Sequence, residues 1–157
     1  MTTVKEIMST SLRTLAPNSS LGEAIELLAK HKCSGAPVVS NGSVVGMITE
    51  LELFDVLFDP ALRDSPVSEF MTSQVWTVAD EDSLGHAAHM FALYGIRRLP
   101  VLRDGKLVGL VSRRDVLLSV LCNNPSACET MAGFIPFLDE PTADGTNQEE
   151  FLLDCPT

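Results

Sequence analysis

A hydroxyl and a carboxylate stand three residues apart where a strand-like run gives way to a helix-like one. They belong to Ser112 and Asp115, and Gly109 precedes them in a Gly-x-x-Ser-x-x-Asp pattern. A carboxylate can accept charge-assisted hydrogen bonds from ligand hydroxyls, and a hydroxyl with the free N–H groups of a helix start suits phosphate. Four arginines nearby in the chain could bind phosphate through paired hydrogen bonds: Arg97, Arg98, Arg113 and Arg114. Side chains of these types could bind a small ligand that carries hydroxyls and phosphate.

The same residues also have purely structural interpretations. Asp115 at a helix start would favour the helix dipole without touching a ligand. The arginines could be solvated or could pair with carboxylates such as Asp80 and Asp82. Both interpretations stay open at the level of the sequence.

The pattern occurs twice, because the chain repeats itself at an interval of 63 residues, as Met8 and Met71 illustrate. In the first copy the pattern is Gly46, Thr49 and Glu52. Glutamate in place of aspartate moves the carboxylate about 1.5 Å further out, the length of one carbon–carbon bond. The four arginines are replaced in that copy by Ser34, Gly35, Glu50 and Leu51. We therefore expect two unequal sites, the second copy being the stronger.

The elements that must position these groups are predicted to follow a β-α-β-β-α order in each copy. The first copy has strands at 12–15, 36–39 and 44–49, with helices after Ser20 and at 50–58. The second copy has strands at 75–78, 99–102 and 107–112, with helices after Ser83 and at 113–122. Serine is a favoured N-cap, and the dipeptides Asn41-Gly42 and Asp104-Gly105 are typical of two-residue hairpin turns. The fold class is therefore predicted as α+β (α/β-like), with two repeats packed about a pseudo-twofold axis.

The predicted organisation is a repeat over 1–58, a linker over 59–66, a second repeat over 67–122 and an acidic, partly flexible tail over 123–157. A unit of about 60 residues is marginal alone, so we expect the two repeats to form one module. A cleft between the repeats is a natural place for a ligand.

Composition excludes several classes of function. The net charge is −10, and residues 122–157 hold seven of the 21 acidic residues and no lysine or arginine, so a basic nucleic-acid surface is not expected. No apolar run has the length of a membrane span, and no signal peptide is recognised, which predicts a cytoplasmic chain that binds no membrane. The four cysteines form no CxxC pair, and no metal site is expected. No nucleophilic elbow or P-loop is present, so an enzyme is not predicted.

The histidines and the tryptophan of the second copy allow two interpretations each, whereas the repeated methionine allows one. His86 and His89 are three apart on a predicted helix and could bind a metal, but solvated surface histidines are the expectation. Trp76 could stack on a ligand base or pack in the core. The recurrence of Met8 and Met71 at equivalent positions predicts a packing role.

The element order, the duplication and the motifs Leu99-Pro-Val, Asp104-Gly and Gly109-Leu-Val-Ser-Arg-Arg-Asp115 closely resemble the CBS domain. The resemblance covers residues 4–121, and two copies in tandem resemble a CBS pair, or Bateman module. It implies a regulatory module that binds an adenosine-containing ligand, such as AMP, ADP, ATP or S-adenosylmethionine, between the repeats. It implies no obligatory cofactor, although Mg²⁺ could accompany a nucleotide. The effector would be a separate, unknown protein.

The resemblance also suggests roles for particular residues. Asp115 would hold the ribose, Ser112 would contact ribose or phosphate, and Thr77 and Val78 would lie beside the adenine. The remaining predicted ligand-binding residues are Arg97, Arg98, Pro100 and Arg114. A weaker second site would comprise Thr14, Pro37, Thr49 and Glu52.

Three functions remain in competition. The first is ligand sensing, mainly at the second-repeat site. The second is assembly alone, since such pairs commonly form flat homodimers through their helices. The third is nucleic-acid binding through the same cleft, which the acidic composition disfavours.

Overall fold

The computed structural model describes residues 2–123, and its elements recur at the interval of the sequence repeat. The first repeat comprises α1 (Leu21–His31), β1 (Gly35–Ser40), β2 (Ser43–Thr49), α2 (Glu50–Leu53) and α3 (Asp55–Phe58). The second comprises β3 (Val78–Ala79), α4 (Leu84–Tyr94), β4 (Arg98–Arg103), β5 (Lys106–Ser112) and α5 (Arg113–Asn123). Short 3-10 helices lie at Val4–Glu6, Pro60–Asp64 and Val67–Glu69. The predicted mixture of helix and sheet is confirmed.

Helices α1 and α4 begin at the two predicted caps. The Ser20 hydroxyl accepts from the N–H of Glu23 at 3.1 Å, and the Ser83 hydroxyl accepts from the N–H of His86 at 3.1 Å. These bonds satisfy N–H groups that have no partner inside the helix. The two helices therefore begin at equivalent positions of the two repeats.

Both predicted hairpins form around left-handed turn residues. Asn41 and Gly42 have φ of 53° and 81°, and Asp104 and Gly105 have φ of 51° and 74°. Strands β1 and β2 make an antiparallel two-stranded sheet. In the second repeat β4 pairs antiparallel with β5 and parallel with β3. Each long hairpin thus delivers the residue that caps the following helix, Thr49 or Ser112.

Three predicted elements differ from those observed. The strand predicted over 75–78 is β3 (Val78–Ala79), so only Val78 of the predicted range is in a strand. In the stretch 12–15 Leu15 makes an isolated bridge to Val38, and no strand forms, because the next turn begins at once and Pro17 has no N–H to donate. The predicted helix over 50–58 is two short helices. They meet at Phe54, whose N–H is shared between the carbonyls of Glu50 and Leu51 at 3.2 and 3.3 Å. The shared bond tightens the turn there.

The opening segments of the two repeats are exchanged. Val4 is fully buried in the cluster of the second repeat, where Ile7 and Met8 pack beside it. Val67 is fully buried in the cluster of the first repeat, and the partly buried Met71 packs against that cluster. Each hydrophobic core is therefore completed by a segment that the sequence assigns to the other repeat.

The exchange explains a pair of glycines and a pair of methionines. An added Cβ at Gly46 would lie 2.3 Å from the sulfur of Met71, and one at Gly109 would lie 2.3 Å from the sulfur of Met8. Each glycine lies on the strand that the opening segment of the opposite repeat crosses. The missing side chain makes room for the methionine.

The rest of the described chain adds little to the site. The predicted linker over 59–66 contains the 3-10 helix Pro60–Asp64, and the predicted tail lies outside the described residues except for Asn123. Within residues 2–123, no helix combines the length and apolarity that crossing a membrane requires.

Candidate functional site

A cavity of about 610 Å³ opens between the two repeats and is called the main cleft here. It is defined by Thr49 and Glu50 from the first repeat and by Trp76, Arg97 and Arg98 from the second. Pockets that hold small ligands typically enclose roughly 300–1,000 Å³. The main cleft therefore has the size of a ligand site and takes its walls from both repeats.

The crossing of the chain explains why both repeats contribute. Thr72 pairs with Met47 on β2 of the first repeat, and six residues later Val78 pairs with Val101 on β4 of the second. The segment 73–77 must therefore run from one repeat to the other. Trp76 lies on this segment and forms part of the wall of the main cleft.

Two aromatic rings stiffen this wall. The rings of Trp76 and Tyr94 are stacked, with centroids 3.8 Å apart and planes 14° from parallel. Tyr94 ends α4, so the helix supports the indole from one side. Of the two interpretations of Trp76, packing occurs against Tyr94, and the residue also lines the main cleft.

The first-copy carboxylate is engaged within its own helix start. Glu52 Oε2 accepts from the N–H of Thr49 at 2.8 Å and also from the Thr49 hydroxyl. Its Oε1 accepts from the hydroxyl of Thr72 at 3.2 Å. Because both oxygens already have donors and Glu52 does not line the main cleft, this carboxylate mainly ties the crossing segment to α2.

The second-copy carboxylate is less fully engaged. Asp115 Oδ2 accepts from the N–H and from the hydroxyl of Ser112, each at 2.7 Å, and the Ser112 hydroxyl accepts from the N–H of Asp115 at 3.2 Å. Within residues 2–123, Asp115 Oδ1 has no such donor. Ser112 and Asp115 are absent from the lining of the main cleft, so the structure does not place them in one cavity with Arg97 and Arg98.

The four arginines have four different environments. Arg98 donates to the Ser34 hydroxyl at 2.5 Å, across the boundary between the repeats, and Arg97 is exposed at the main cleft. Arg113 donates to the carbonyls of Ile96 at 2.6 Å and Gly95 at 3.0 Å. Arg114 is exposed and lines none of the three cavities described here. The predicted cluster thus supplies two cleft residues, and Arg113 holds the loop that carries them.

The alternative partners named from the sequence can also be checked. Asp80 is 4% exposed and accepts from Arg103 Nε at 2.7 Å and Nη2 at 2.6 Å. Asp82 Oδ2 accepts from the N–H of Ala79 at 2.8 Å and lies 4.0 Å from His86 Nε2. Neither carboxylate pairs with the four arginines.

A second cavity of about 320 Å³, called the smaller cleft, lies at the pseudo-equivalent position. Ser9 and Leu110 line it, and they correspond to Thr72 and Met47 of the main cleft. Arg13, His31 and Arg98 line it too. Arg13 Nε donates to His31 Nδ1 at 3.1 Å, and desolvation followed by the charges of Arg13 and Lys30 lowers the pKa of His31 below 6.5.

The remaining predicted site residues occupy varied positions. Val78 is buried in the second-repeat core, and Thr77 is half-buried beside Trp76. Pro100 is buried on β4, Pro37 is buried and lines the smaller cleft, and Thr14 is exposed. Gln74 and Val75 line the main cleft and were not predicted. In the sequence they are distinguished only by their position next to Trp76. That position indicates a cleft residue only when the segment 73–77 is known to run from one repeat to the other.

A third cavity, of about 700 Å³, is an apolar groove on the helices of the first repeat. The groove is defined by Ile25, Leu28 and Ala29 of α1, with Phe54 and Leu57. Three of these large apolar side chains are exposed: Leu57 at 71%, Phe54 at 54% and Ile25 at 37%. Among residues 2–123, no three His, Cys, Asp or Glu side chains are grouped as a metal site would need.

Comparison with known proteins identifies the repeat. The family model of the CBS domain matches residues 4–59 and 67–121. A curated relative, the CBS domain-containing protein YhcV of Bacillus subtilis, is 32% identical over 131 residues, which cover 78% of this chain and 89% of YhcV. The inosine-5'-monophosphate dehydrogenase of Aquifex aeolicus is 33% identical over 123 residues, but the match covers only 24% of that enzyme.

Solved structures agree with these matches. CBSX2, a CBS-pair protein from Arabidopsis thaliana whose structure was determined with AMP, has a TM-score of 0.68 at 30% identity, with 76% of this chain and 96% of CBSX2 covered. The CBS pair of protein MJ0100, determined with 5'-methylthioadenosine and S-adenosyl-L-methionine, has a TM-score of 0.67 at 31% identity, with 79% and 98% covered. Two family matches, the duplicated fold and these neighbours lead to one conclusion: the chain belongs to the CBS-domain family and contains two CBS domains in tandem.

Proposed function

We propose that this CBS pair is a regulatory, non-catalytic module that binds an adenosine-containing ligand in the main cleft. The observation that carries the proposal is the juxtaposition of Trp76, Arg97 and Arg98 around one cavity of about 610 Å³. A supported aromatic ring suits a planar base, and guanidinium groups suit a phosphate or another anion. The bound structures of CBSX2 and MJ0100 support the class of ligand.

The charges in the cleft favour a ligand of limited negative charge. Glu50 lines the cleft beside Arg97 and Arg98, so one carboxylate offsets part of the positive charge. A monophosphate, or the sulfonium-bearing S-adenosylmethionine, meets less repulsion from Glu50 than a triphosphate does. We expect AMP or S-adenosylmethionine to bind more tightly than ATP without Mg²⁺.

Thermal unfolding with a panel of ligands tests the proposal. AMP, ADP, ATP, S-adenosylmethionine and adenosine would be compared, with and without Mg²⁺. A ligand at 100 times its Kd should stabilise the fold by about 2.7 kcal/mol. Trp76 is the only tryptophan of the chain, so its fluorescence should change on binding.

Matched variants assign the effect to the cleft. Arg97→Gln should weaken AMP about tenfold, the effect of losing one charge-assisted hydrogen bond, and should leave adenosine unaffected. Arg63→Gln removes the same charge at a position that lines none of the three cavities and should leave both ligands unaffected. If no adenosine compound binds well-folded protein free of nucleotide, the proposal fails.

The ribose role of Ser112 and Asp115 is a separate proposal for a ligand outside the main cleft, because neither residue lines that cleft. It is supported by the uncommitted Oδ1 of Asp115. Asp115→Ala should weaken adenosine as well as AMP, because the ribose is common to both. Unchanged binding of both compounds would remove Asp115 from the site.

Assembly is the second candidate function, and we infer that the module is a homodimer that acts on a separate effector protein in the cytoplasm. The supporting observation is the exposed apolar surface of the groove, where Leu57 is 71% and Phe54 is 54% exposed. Large exposed apolar patches often mark association surfaces. Light scattering at micromolar concentration should give a dimer mass for the parent and a monomer mass for Leu57→Glu. A monomeric parent would contradict this inference.

A further inference from the structure

We propose that the apolar groove of the first repeat is a docking site for the segment 134–138 of the same chain. The groove has a volume of about 700 Å³, and its walls come from α1, α2 and α3. Its apolar side chains Ile25, Phe54 and Leu57 are between 37% and 71% exposed in residues 2–123. Apolar surface of this kind usually marks a contact with another segment or another protein.

The proposed occupant is the longest apolar run of the acidic tail, and it lies outside the described residues. Its sequence is Phe-Ile-Pro-Phe-Leu, so four of its five side chains are large and apolar. Burying such side chains against the groove removes apolar surface of both partners from water. Pro136 has no N–H and holds the residue before it extended, which lowers the entropy lost when an extended segment is bound.

Charges at the edge of the groove complement those that follow the segment. Lys32 and Arg98 line the groove, and within residues 2–123 neither forms an ion pair with a carboxylate. Glu50 is the single acidic residue among those that line the groove, so its lining is net positive. Asp139 and Glu140 come directly after the apolar run. Pairing these carboxylates with the two cations would give the docked segment one direction along the groove.

The chain between α5 and the segment is long enough for this contact. Helix α5 ends at Asn123, and ten residues separate it from Phe134. Ten extended residues span about 33–36 Å. A compact unit of the described size has a radius of gyration of about 14 Å and hence a diameter of about 35 Å. The segment can therefore reach the neighbouring repeat while α5 stays in place.

A tethered segment has an advantage over a separate molecule. A short link gives its end an effective concentration of the order of millimolar near the site. A second copy of the chain at micromolar concentration must compete with that. We therefore assign the groove first to the chain's own segment.

This assignment has a consequence for assembly. The homodimer inferred above uses the same groove, so a second copy must displace the segment before it can bind. Docking would therefore weaken self-association without abolishing it. This consequence alone rests on the inferred homodimer, whereas the docking itself does not.

Nuclear Overhauser effects in the full chain test the contact directly. We expect them between the rings of Phe134 and Phe137 and the methyl groups of Ile25 and Leu57. A mixture of labelled and unlabelled chains, examined with isotope filters, reports only contacts between copies and should show none. Absence of these effects in the full chain, or their presence in the filtered mixture, would overturn docking within one chain.

Matched variants in the tail identify the segment. Phe134→Ser combined with Phe137→Ser should shift the methyl resonances of Leu57. Phe151→Ser is the control, because it lies in the second apolar run of the same acidic tail and is expected to leave them unchanged. Equal shifts in the two variants would show that the segment 134–138 is not the occupant.

A second pair of variants tests the charges. Lys32→Gln should weaken docking, and the difference from the parent should shrink at high salt. Lys30→Gln makes the same change at an exposed position of α1 that lines none of the three cavities, and it should have no effect. Equal effects of the two variants would refute pairing of Lys32 with the tail.

The dissociation constant of the dimer separates docking from its consequence. The double phenylalanine variant should lower it about tenfold, the effect of freeing a surface that is free in about one chain in ten. Docking with an unchanged dissociation constant would refute the competition and preserve the docking site. A parent that stays monomeric would refute the homodimer, while the Overhauser effects would still decide whether the segment docks.

Discussion

At the scale of the residue, the glycines of the two motifs act through the room they leave. Gly46 and Gly109 each face a methionine sulfur at a distance that no Cβ could tolerate. Gly85 is a contrasting case, because an added Cβ there meets nothing closer than 3.9 Å. The glycine of the Gly-x-x-Ser/Thr pattern is thus required for packing against the opening segment of the opposite repeat, independently of any role in ligand binding.

Gly109→Ala should therefore destabilise the protein by about 1–3 kcal/mol, the usual effect of overpacking a core. Gly85→Ala is the matched control and should be neutral or slightly stabilising, because it lies within α4 with open space around it. Urea denaturation measures both. The double variant Gly109→Ala with Met8→Ala should recover part of the loss by removing the opposing side chain, and no recovery would contradict the packing explanation.

At the scale of the element, the loop between α4 and β4 is held by α5. Arg113 donates to the carbonyls of Gly95 and Ile96, and its own N–H donates to the carbonyl of Arg97 at 3.2 Å. In the first repeat Glu50 makes the equivalent backbone bond to Ser34, but a carboxylate cannot donate to carbonyls. The loop between the first helix and the following strand is therefore held by side-chain hydrogen bonds in the second repeat, where it carries Arg97, and lacks the equivalent bonds in the first repeat.

Arg113→Gln should loosen this loop without unfolding the protein. We expect faster amide hydrogen exchange at residues 95–98, because two side-chain bonds to the loop are removed, with little change in β1 and β2. The affinity for AMP should fall as well, since Arg97 and Arg98 lose their fixed positions. Arg114→Gln is the control with the same charge change, and equal exchange in both variants would show that Arg113 does not hold the loop.

At the scale of the whole molecule, the exchange of opening segments joins the repeats into one folding unit. Val4 and Val67, equivalent in sequence, are each fully buried in the core of the opposite repeat. Neither core is complete without the partner repeat. The chain that follows each exchanged opening segment lines a cleft, residues 74–76 in the main cleft and residues 11–13 in the smaller cleft.

Val4→Ala should lower the free energy of unfolding by about 2 kcal/mol, in line with other truncations of buried side chains. Val67→Ala should have a similar effect, although it opens a cavity in the other core. If the repeats unfold together, Trp76 fluorescence and far-ultraviolet circular dichroism should give coincident transitions for the parent and for both variants. A variant in which Trp76 unfolds separately from the rest would contradict a single cooperative unit.

The sequence by itself determined most of the elements of this protein and many of their ends, although the strand predicted over 12–15 does not form. The duplication, the serine caps, the hairpin dipeptides and the apolar helix faces are local patterns, and local hydrogen bonding and backbone sterics decide them. For the same reason the Ser112–Asp115 pair stands at a helix start, as predicted. The tight turn at Phe54 was missed, because it depends on a hydrogen bond shared between two carbonyls.

Only the tertiary structure decided which residues share a cleft. The repeat makes residues at an interval of 63 equivalent, so it cannot tell which repeat an opening segment packs against. Packing of Met8 on Gly109 and of Met71 on Gly46 settles that choice, and it sends the segment 73–77 across the molecule. Trp76, Arg97 and Arg98 consequently meet Thr49 of the other repeat, while Ser112 and Asp115 lie outside that cleft. Long-range packing, which leaves no periodic trace in the chain, is the physical reason.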